Sequence, residues 1–371
     1  MKVLLLSKAC VVGIYQRKLE EMAARGVELT VAVPPEWRDE RGTQPLERVH
    51  TNGYQLVETS IIFNGNFHLH FYPRFGALIE RVKPDLVHID EEPYNLATWL
   101  ALRQSLQKSA KTLFFSWQNI NRRYPPPFSW LERDVLNRAH GAIAGNTAAA
   151  EVWRAKGYGG PLAVIPQFGV DAEVFREQEL GIASVTRHLP LTVGYAGRLV
   201  PEKGVDVLLL AAARVPGVQV KILGAGPERG LLEKLVKQTG LTERVSFAPM
   251  RPSTEMPNFY AELDALVLPS RTRPNWKEQF GRVLIEAMAC GVPVIGSECG
   301  EVPNVIADSG LLFPEENVEA LAAHLTALRD SQPLRAELAA KGRARVLAHF
   351  TQASVAERTI KFYHQIMADG R

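Results

Sequence analysis

The chain has 371 residues, 46% hydrophobic and 22% charged, with a formal net charge of +3. That length exceeds one hydrophobic core and predicts two globular domains, while so small a net charge, with no Lys or Arg runs, argues against a nucleic-acid partner. Three cysteines, Cys10, Cys290 and Cys299, stand at no metal-ligand spacing, so free buried thiols in a reducing cytoplasm are expected rather than disulfides.

The opening MKVLLLSKACVVG superficially resembles a leader, but Lys8 interrupts its apolar run, and residues 2–7 read as a buried strand. Gly13 lies in the loop that follows. Residues 14–25 read as a helix stopped by Gly26, and residues 28–33 as a second strand. From Pro34 to Phe75 the pattern is irregular. His68 and His70 there have the spacing of one strand face, but no third metal ligand accompanies them. Strands at 85–90, 111–116, 141–145 and 162–166 then alternate with helices at 96–107 and 148–156. That alternation predicts a parallel α/β sheet, which binds ligands beyond the carboxyl ends of its strands. Gly13, the residues after Asp90 and those after Ser116 would share that edge. No stretch reaches the roughly 20 apolar residues of a membrane span.

Residues 176–190 are polar and read as a linker. The alternation restarts with strands at 192–195, 218–223, 245–247, 265–268 and 293–296. Helices at 205–214, 229–238 and 256–263 separate them, and further helices follow at 318–329, 334–350 and 351–367. The expected organisation is a first domain over 1–175, a second over 191–350 and a terminal helix over 351–371. The fold class is α/β, with two doubly wound parallel-sheet domains.

Chemistry concentrates in the second domain. EQFGRVLIEAMACG, residues 278–291, follows a strand and a turn-rich loop. Its apolar positions Val283, Leu284, Ala287 and Met288 share one helical face, and Gly291 with Pro293 ends the helix. The helix would begin near Phe280 or Gly281. Its first turn presents N–H groups without intrahelical partners, and its dipole favours an anion such as a phosphate. Gly281 has no side chain to keep that anion away. Glu278 precedes the helix and Glu286 lies inside it, roughly 12 Å further along if every intervening residue is helical. Carboxylates accept hydrogen bonds from sugar hydroxyls. A charged centre flanked by hydroxyl-bearing parts is the layout of a nucleotide sugar. Spacing alone better describes a surface helix with two exposed glutamates. A second motif, GRLVPEKG at 197–204, puts Arg198 and Lys203 on one strand-to-helix loop, where they can neutralise a diphosphate.

EQFGRVLIEAMACGVPVI resembles the E-x7-E signature of the family 4 retaining glycosyltransferases, with Gln279 where a small residue is usual. GRLVPEKG is similar to that family's G-R-x-x-x-x-K-G, and Gly224 and Gly226 resemble its glycine loop. The resemblance implies a GT-B architecture, two such domains facing across a cleft, with the last helix crossing back to the first domain. It implies Arg198 and Lys203 on the donor diphosphate, Glu278 on the transferred sugar and Glu286 on the ribose. Further donor contacts are expected from Gly13, Met250, Arg251, Gln279, Phe280 and Gly281. No Asp has a second Asp two positions away, so the Asp-x-Asp metal pair is missing and no metal or other cofactor is expected beside the nucleotide diphosphate sugar.

The first domain is less explicit. Glu91, Glu92 and Tyr94 would face the ligand edge, whereas His88 reads as a packed strand histidine. Where the family often has Phe-His-Thr this chain has Phe115-Ser116-Trp117-Gln118-Asn119, so Gln118 or Asn119 would serve the sugar in place of the missing His. The following aromatic-basic run, with Arg122 and Arg123 beside Tyr124, three prolines, Phe128 and Trp130, could clamp an acceptor or touch lipid headgroups; it could also be a rigid polyproline connection. The expected activity is metal-independent, retaining transfer of a sugar to a glycan, lipid or small-molecule acceptor. The expected location is the cytoplasm, with room for peripheral contact at the inner membrane face. A nucleotide-sugar 2-epimerase and a non-catalytic sugar-nucleotide-binding subunit are the alternatives.

Overall fold

β1 (Lys2–Leu6) is an interior strand of a seven-stranded parallel sheet because its apolar run can be covered on both faces. The computed structural model describes residues 1–39, 42–177 and 190–369. They form two units, Met1–Gly169 with Gln352–Arg371, and Val170–Thr351. In the first, β1 pairs with β2 (Glu28–Val33) on one side. A small antiparallel hairpin follows, β3 (Glu36–Asp39) with β4 (Gly42–Pro45). Then come β5 (Gln55–Glu58), β6 (Leu86–Ile89), β7 (Lys111–Ser116), β8 (Gly141–Ala144) and β9 (Leu162–Val164). The sheet order is β5-β2-β1-β6-β7-β8-β9. The chain therefore winds outward from β1 and returns to its other side at β6, which puts the topological switch point between β1 and β6. Val3, Leu4 and Leu6 have no exposed surface; a fully buried Val or Leu is worth about 1.5–3 kcal/mol.

The second unit repeats the scheme with six parallel strands in the order β12-β11-β10-β13-β14-β15. These are β10 (Leu191–Ala196), β11 (Val218–Leu223), β12 (Val245–Ala248), β13 (Ala265–Leu268), β14 (Val294–Ser297) and β15 (Leu311–Phe313). Its switch point lies between β10 and β13.

One boundary differs from expectation. Residues 170–175 belong to the second unit, not the first. Val170 is bridged to Thr351 there, and the buried Phe175 ring sits 6.4 Å from that of Tyr260. Of the linker expected over 176–190, residues 178–189 lie outside the described residues. The terminal helix Gln352–Ala368 packs within the first unit, where the Tyr363 hydroxyl lies 2.6 Å from His88 Nδ1. The side-chain amide of Gln352 accepts from Gly169 N at 3.1 Å and donates to Gly169 O at 2.9 Å.

The irregular stretch before Phe75 holds more structure than its sequence pattern shows, namely the hairpin, β5 and then the helix Phe75–Val82. His68 is in a turn and His70 just past it, neither on a strand, because the Asn66 side chain captures the His68 and Leu69 N–H groups at 3.1 and 3.0 Å. Part of the aromatic-basic run is helix, Phe128–Arg138. All three cysteines are buried and free. Among the described residues, no helix is long and apolar enough to cross a membrane, and no group of three or more His, Cys, Asp or Glu is placed to hold a metal.

Candidate active site

In the second unit, the loops after β10 and β13 flank the switch point, and both sequence motifs sit on them. β10 leads through residues 197–204 into the helix Val205–Arg214. Tyr195 steadies this loop by donating to Arg198 O at 2.7 Å. The Arg198 side chain is half exposed, with its guanidinium 3.8 Å from Glu202. Lys203 turns inward: its ammonium lies 2.5 Å from Glu278 Oε2 and 4.9 Å from the centre of the Trp276 ring. Ser270, two residues past β13, donates to the same Glu278 oxygen at 2.8 Å. Arg271 N donates to Glu202 O at 2.8 Å and joins the two loops. Arg198, Lys203 and Glu278 thus come from the two loops that border one switch point.

The helix expected near Phe280 or Gly281 runs from Arg282 to Ala289. Gly281 caps it at φ +79°, a left-handed conformation that glycine adopts without steric cost. Leu284 through Ala289 are buried against the unit's core. Glu286 is buried with them: Tyr260 Oη donates to its Oε2 at 2.7 Å, and Arg282 Nε lies 2.8 Å from its Oε1. Burial and this carboxylate hold the Tyr260 phenol well above its ordinary pKa. Gln279 is exposed, and the Phe280 ring packs 5.8 Å from that of Phe350. Gly224 and Gly226 let two loops touch: a Cβ would lie 2.0 Å from Gly197 O at the first and 2.2 Å from Leu199 O at the second. Met250 is exposed beyond β12, and Arg251 is 3.8 Å from Glu262.

The corresponding edge of the first unit is a closed polar network. Asp90, after β6, accepts from Ser7 Oγ at 2.5 Å and from Gln167 Nε2 at 2.8 and 2.9 Å. Burial raises its carboxyl pKa. Glu91 is inside the unit, paired with Lys8, 3.3 Å from His70 Nε2 and accepting from Tyr72 Oη at 3.1 Å. Burial alone would raise this carboxyl, but Lys8 and His70 outweigh it and bring it to about 2. Glu91 was expected as a sugar contact; its oxygens face these internal partners, since the ammonium beside it needs a counter-charge. Glu92 accepts from Ser116 Oγ at 2.6 Å and from Trp117 N at 2.8 Å, tying the ends of β6 and β7, and burial lifts its carboxyl to about 7.

Gln118 and Asn119 follow β7 and are buried; Gln118 Nε2 donates to Ile120 O at 3.1 Å. The Tyr94 ring packs 4.2 Å from that of Tyr124. The His68 ring touches both of these and Phe128, at centroid distances of 5.5, 5.7 and 4.9 Å. Arg122 and Arg123 remain exposed. Gly13 N donates to Glu47 Oε2 at 2.6 Å, so a carboxylate of this chain occupies the donor expected for a ligand. Sequence reasoning missed Ser7, Lys8, Glu47, Tyr260, Ser270 and Trp276. Lys8 and Ser270 could have been found from their places just past the carboxyl ends of β1 and β13; Tyr260 and Glu47 carry no such signal.

The model of the family described as glycosyl transferases group 1 matches residues 183–345, and that of Glycosyltransferase Family 4 matches residues 16–174. A D-inositol 3-phosphate glycosyltransferase of Mycolicibacterium smegmatis is 32% identical over 213 residues, 55% of this chain and 47% of that protein. Its counterpart in Mycobacteroides abscessus is 33% identical over 55% of this chain and 46% of that protein. The matched part is therefore about half the length of these curated relatives. Among solved structures, a sucrose-phosphate synthase from Thermosynechococcus elongatus superposes with a TM-score of 0.73 at 22% identity, covering 99% of both chains. Anabaena HepE in complex with UDP superposes at 0.71 and 19% identity, over 98% of this chain and 100% of that one.

Proposed function

Because the chain belongs to the group 1, family 4 glycosyltransferases and has their GT-B fold of two parallel-sheet α/β domains, we propose that it moves a sugar from a nucleotide diphosphate sugar to an acceptor hydroxyl with retention at the anomeric carbon. The observation that carries this reading is the meeting of Lys203 and Glu278 at 2.5 Å where two loops leave the switch point of the second sheet. A cation for the leaving diphosphate and a carboxylate for the sugar hydroxyls are thereby fixed beside each other. Arg198 and the N-terminal turn of Arg282–Ala289 add positive potential, so charge developing on the leaving phosphate meets preorganised donors. Glu286 serves the ribose hydroxyls from further along the helix.

In the reaction the bond from the anomeric carbon to the phosphate oxygen breaks while the acceptor oxygen attaches to the same face. The acceptor proton passes to the leaving phosphate oxygen, so neither a protein nucleophile nor a metal is called for. HepE is known bound to UDP and to UDP-glucose, which supports a nucleotide-sugar donor here. The relatives' name, D-inositol 3-phosphate glycosyltransferase, supports a polyol acceptor with an anionic group; the exposed Arg122 and Arg123 suit such a group. A cytoplasmic location with peripheral membrane contact belongs to the same reading. The matching relatives are named as glycosyltransferases, which leaves the epimerase and non-catalytic alternatives without support. Incubation with a panel of nucleotide sugars, with and without acceptors, tests the proposal. Anomer-retaining transfer is expected; free epimerised sugar, or no turnover of any donor, would overturn it.

A further inference from the structure

Residues 62–71 of the first unit close on themselves and turn apolar side chains outward. Ile62 and Phe71 exchange backbone hydrogen bonds at 3.0 and 3.2 Å. Asn66 N donates to Phe63 O at 3.0 Å, and Asn66 O accepts from His70 N at 3.1 Å. Asn64 Oδ1 accepts from Arg38 N at 3.1 Å, which fastens the loop to β3. Phe63 is held at φ +55°, a conformation that is costly for an aromatic residue. On this fixed frame Phe63 is 60% exposed, Phe67 52%, Ile62 40% and Leu69 39%. Among the described residues the other exposed large apolar side chains, such as Val164, Leu231 and Leu347, are scattered, apart from Trp130 of the neighbouring 118–130 run; scattering is normal for single surface residues. Four within eight residues on one pinned loop make a patch.

The surroundings of the patch identify its partner. The His68 ring packs on Tyr124 and Phe128, which brings the Arg122-Arg123 loop alongside. Residues 59–75 and 117–131 contain no Asp or Glu, but they contain Arg74, Arg122 and Arg123, all exposed. We propose that the loop carrying Ile62, Phe63, Phe67 and Leu69 is a membrane-docking surface that inserts its aromatic tips into the interface of a bilayer with anionic headgroups, which the three arginines meet. Aromatic and aliphatic tips favour the interfacial region, and flanking cations are drawn to an anionic leaflet. A second copy of the chain fits less well, since a two-fold contact would set the same arginines against each other. In the 118–130 run Tyr124 packs on Tyr94 and His68 and Phe128 packs on His68, whereas Trp130 is exposed beside them; the pinned loop supplies most of the inserting side chains, and the arginines of the run supply charge.

Flotation of the full chain with phosphatidylcholine vesicles containing about 30% phosphatidylglycerol tests this, against pure phosphatidylcholine and against raised salt. The wild type should float with the anionic vesicles only, and less at high salt. Phe63→Ser with Phe67→Ser should cut the floated fraction about tenfold without changing Tm. Arg122→Ala with Arg123→Ala should cut it several-fold and flatten the salt dependence. Absence of wild-type flotation, or flotation that none of these changes affects, would overturn the proposal. So would a dimer in light scattering that the Phe variants convert to monomer while vesicle binding stays absent. Transfer to soluble acceptors reads out separately, so failure of docking and failure of the glycosyltransferase reading are distinguishable.

Discussion

The ligand edges of the two sheets have the same construction and opposite electrostatics. Beyond β10 and β13, Arg198 is half exposed at the rim, while Lys203 turns inward and is shared with Glu278 on loops that lead into helices. Beyond β1 and β6, the charges are spent internally. Lys8 and His70 neutralise Glu91, and Ser7 with Gln167 satisfies Asp90. In the proposed reading the second unit holds a diphosphate by charge, through the half-exposed Arg198, 3.8 Å from Glu202, and through Lys203, whose carboxylate partner Glu278 serves the same ligand. At the first switch point Lys8 is as enclosed as Lys203 and is likewise paired with a carboxylate, Glu91, which His70 and Tyr72 also hold. In the proposed reading, recognition there falls to neutral amides and rings such as Gln118, Asn119 and Tyr94, with Arg122 and Arg123 at the periphery.

The largest expected effect is at Lys203. Lys203→Met should lower kcat about 10²–10³-fold, the cost of losing one preorganised donor at developing charge. The loss should fall in kcat for the intact donor, with circular dichroism unchanged. A kcat within twofold of wild type would erase the contrast between the two edges. A smaller effect is expected from Arg122→Ala with Arg123→Ala. The acceptor KM should rise about fivefold to tenfold while the donor KM stays fixed, because exposed cations act in high dielectric and are screened by salt. An unchanged acceptor KM would remove the periphery of the first edge from recognition.

Glu92 sharpens the comparison through pH. Its carboxyl is raised from 4.5 to about 7 by burial. The protonated form is favoured in the folded chain, so its contribution to stability is complete below pH 4.5 and is lost as pH rises through about 7. The Tm difference between wild type and Glu92→Gln should therefore shift against the wild type across that window. A difference independent of pH would mean that Glu92 is solvated and the first edge open. The smallest expected effect is none at all: EDTA should leave activity unchanged, since Arg198 and Lys203 balance the diphosphate. Activity lost with EDTA and restored by manganese would put a metal where the second edge is held to need none.

The second edge was legible because each of its motifs is contiguous. Residues 197–204 and 278–286 carry their chemistry on single strand-to-helix loops, so spacing and residue type place it. The partnership of Lys203 with Glu278 spans 75 positions and was invisible. The first edge is built almost entirely of such distant pairs: Ser7 with Asp90 and Lys8 with Glu91 each span 83 positions, and Gln167 with Asp90 spans 77. No periodicity reports them, so Glu91 looked like a ligand contact. The loop at 62–71 escaped notice for another reason. Side-chain bonds from Asn64 and Asn66 build it, with no repeat of either helical or strand period.

The account rests on the donor lying along the Arg282–Ala289 helix with its diphosphate at Lys203 and its ribose at Glu286. Calorimetric titration of a nucleoside diphosphate into Glu286→Gln and Glu278→Gln tests this directly. Glu286→Gln keeps an acceptor for Tyr260 but loses its charge, and a hydrogen bond to a charged group is worth roughly 1.5–3 kcal/mol, so affinity should fall by about one to two powers of ten. Glu278→Gln frees Lys203 from its ion pair and removes no contact to a ligand that lacks the sugar, so affinity should hold or rise. Equal losses in the two variants, or a loss in Glu278→Gln alone, would contradict the account and reverse the donor along the helix.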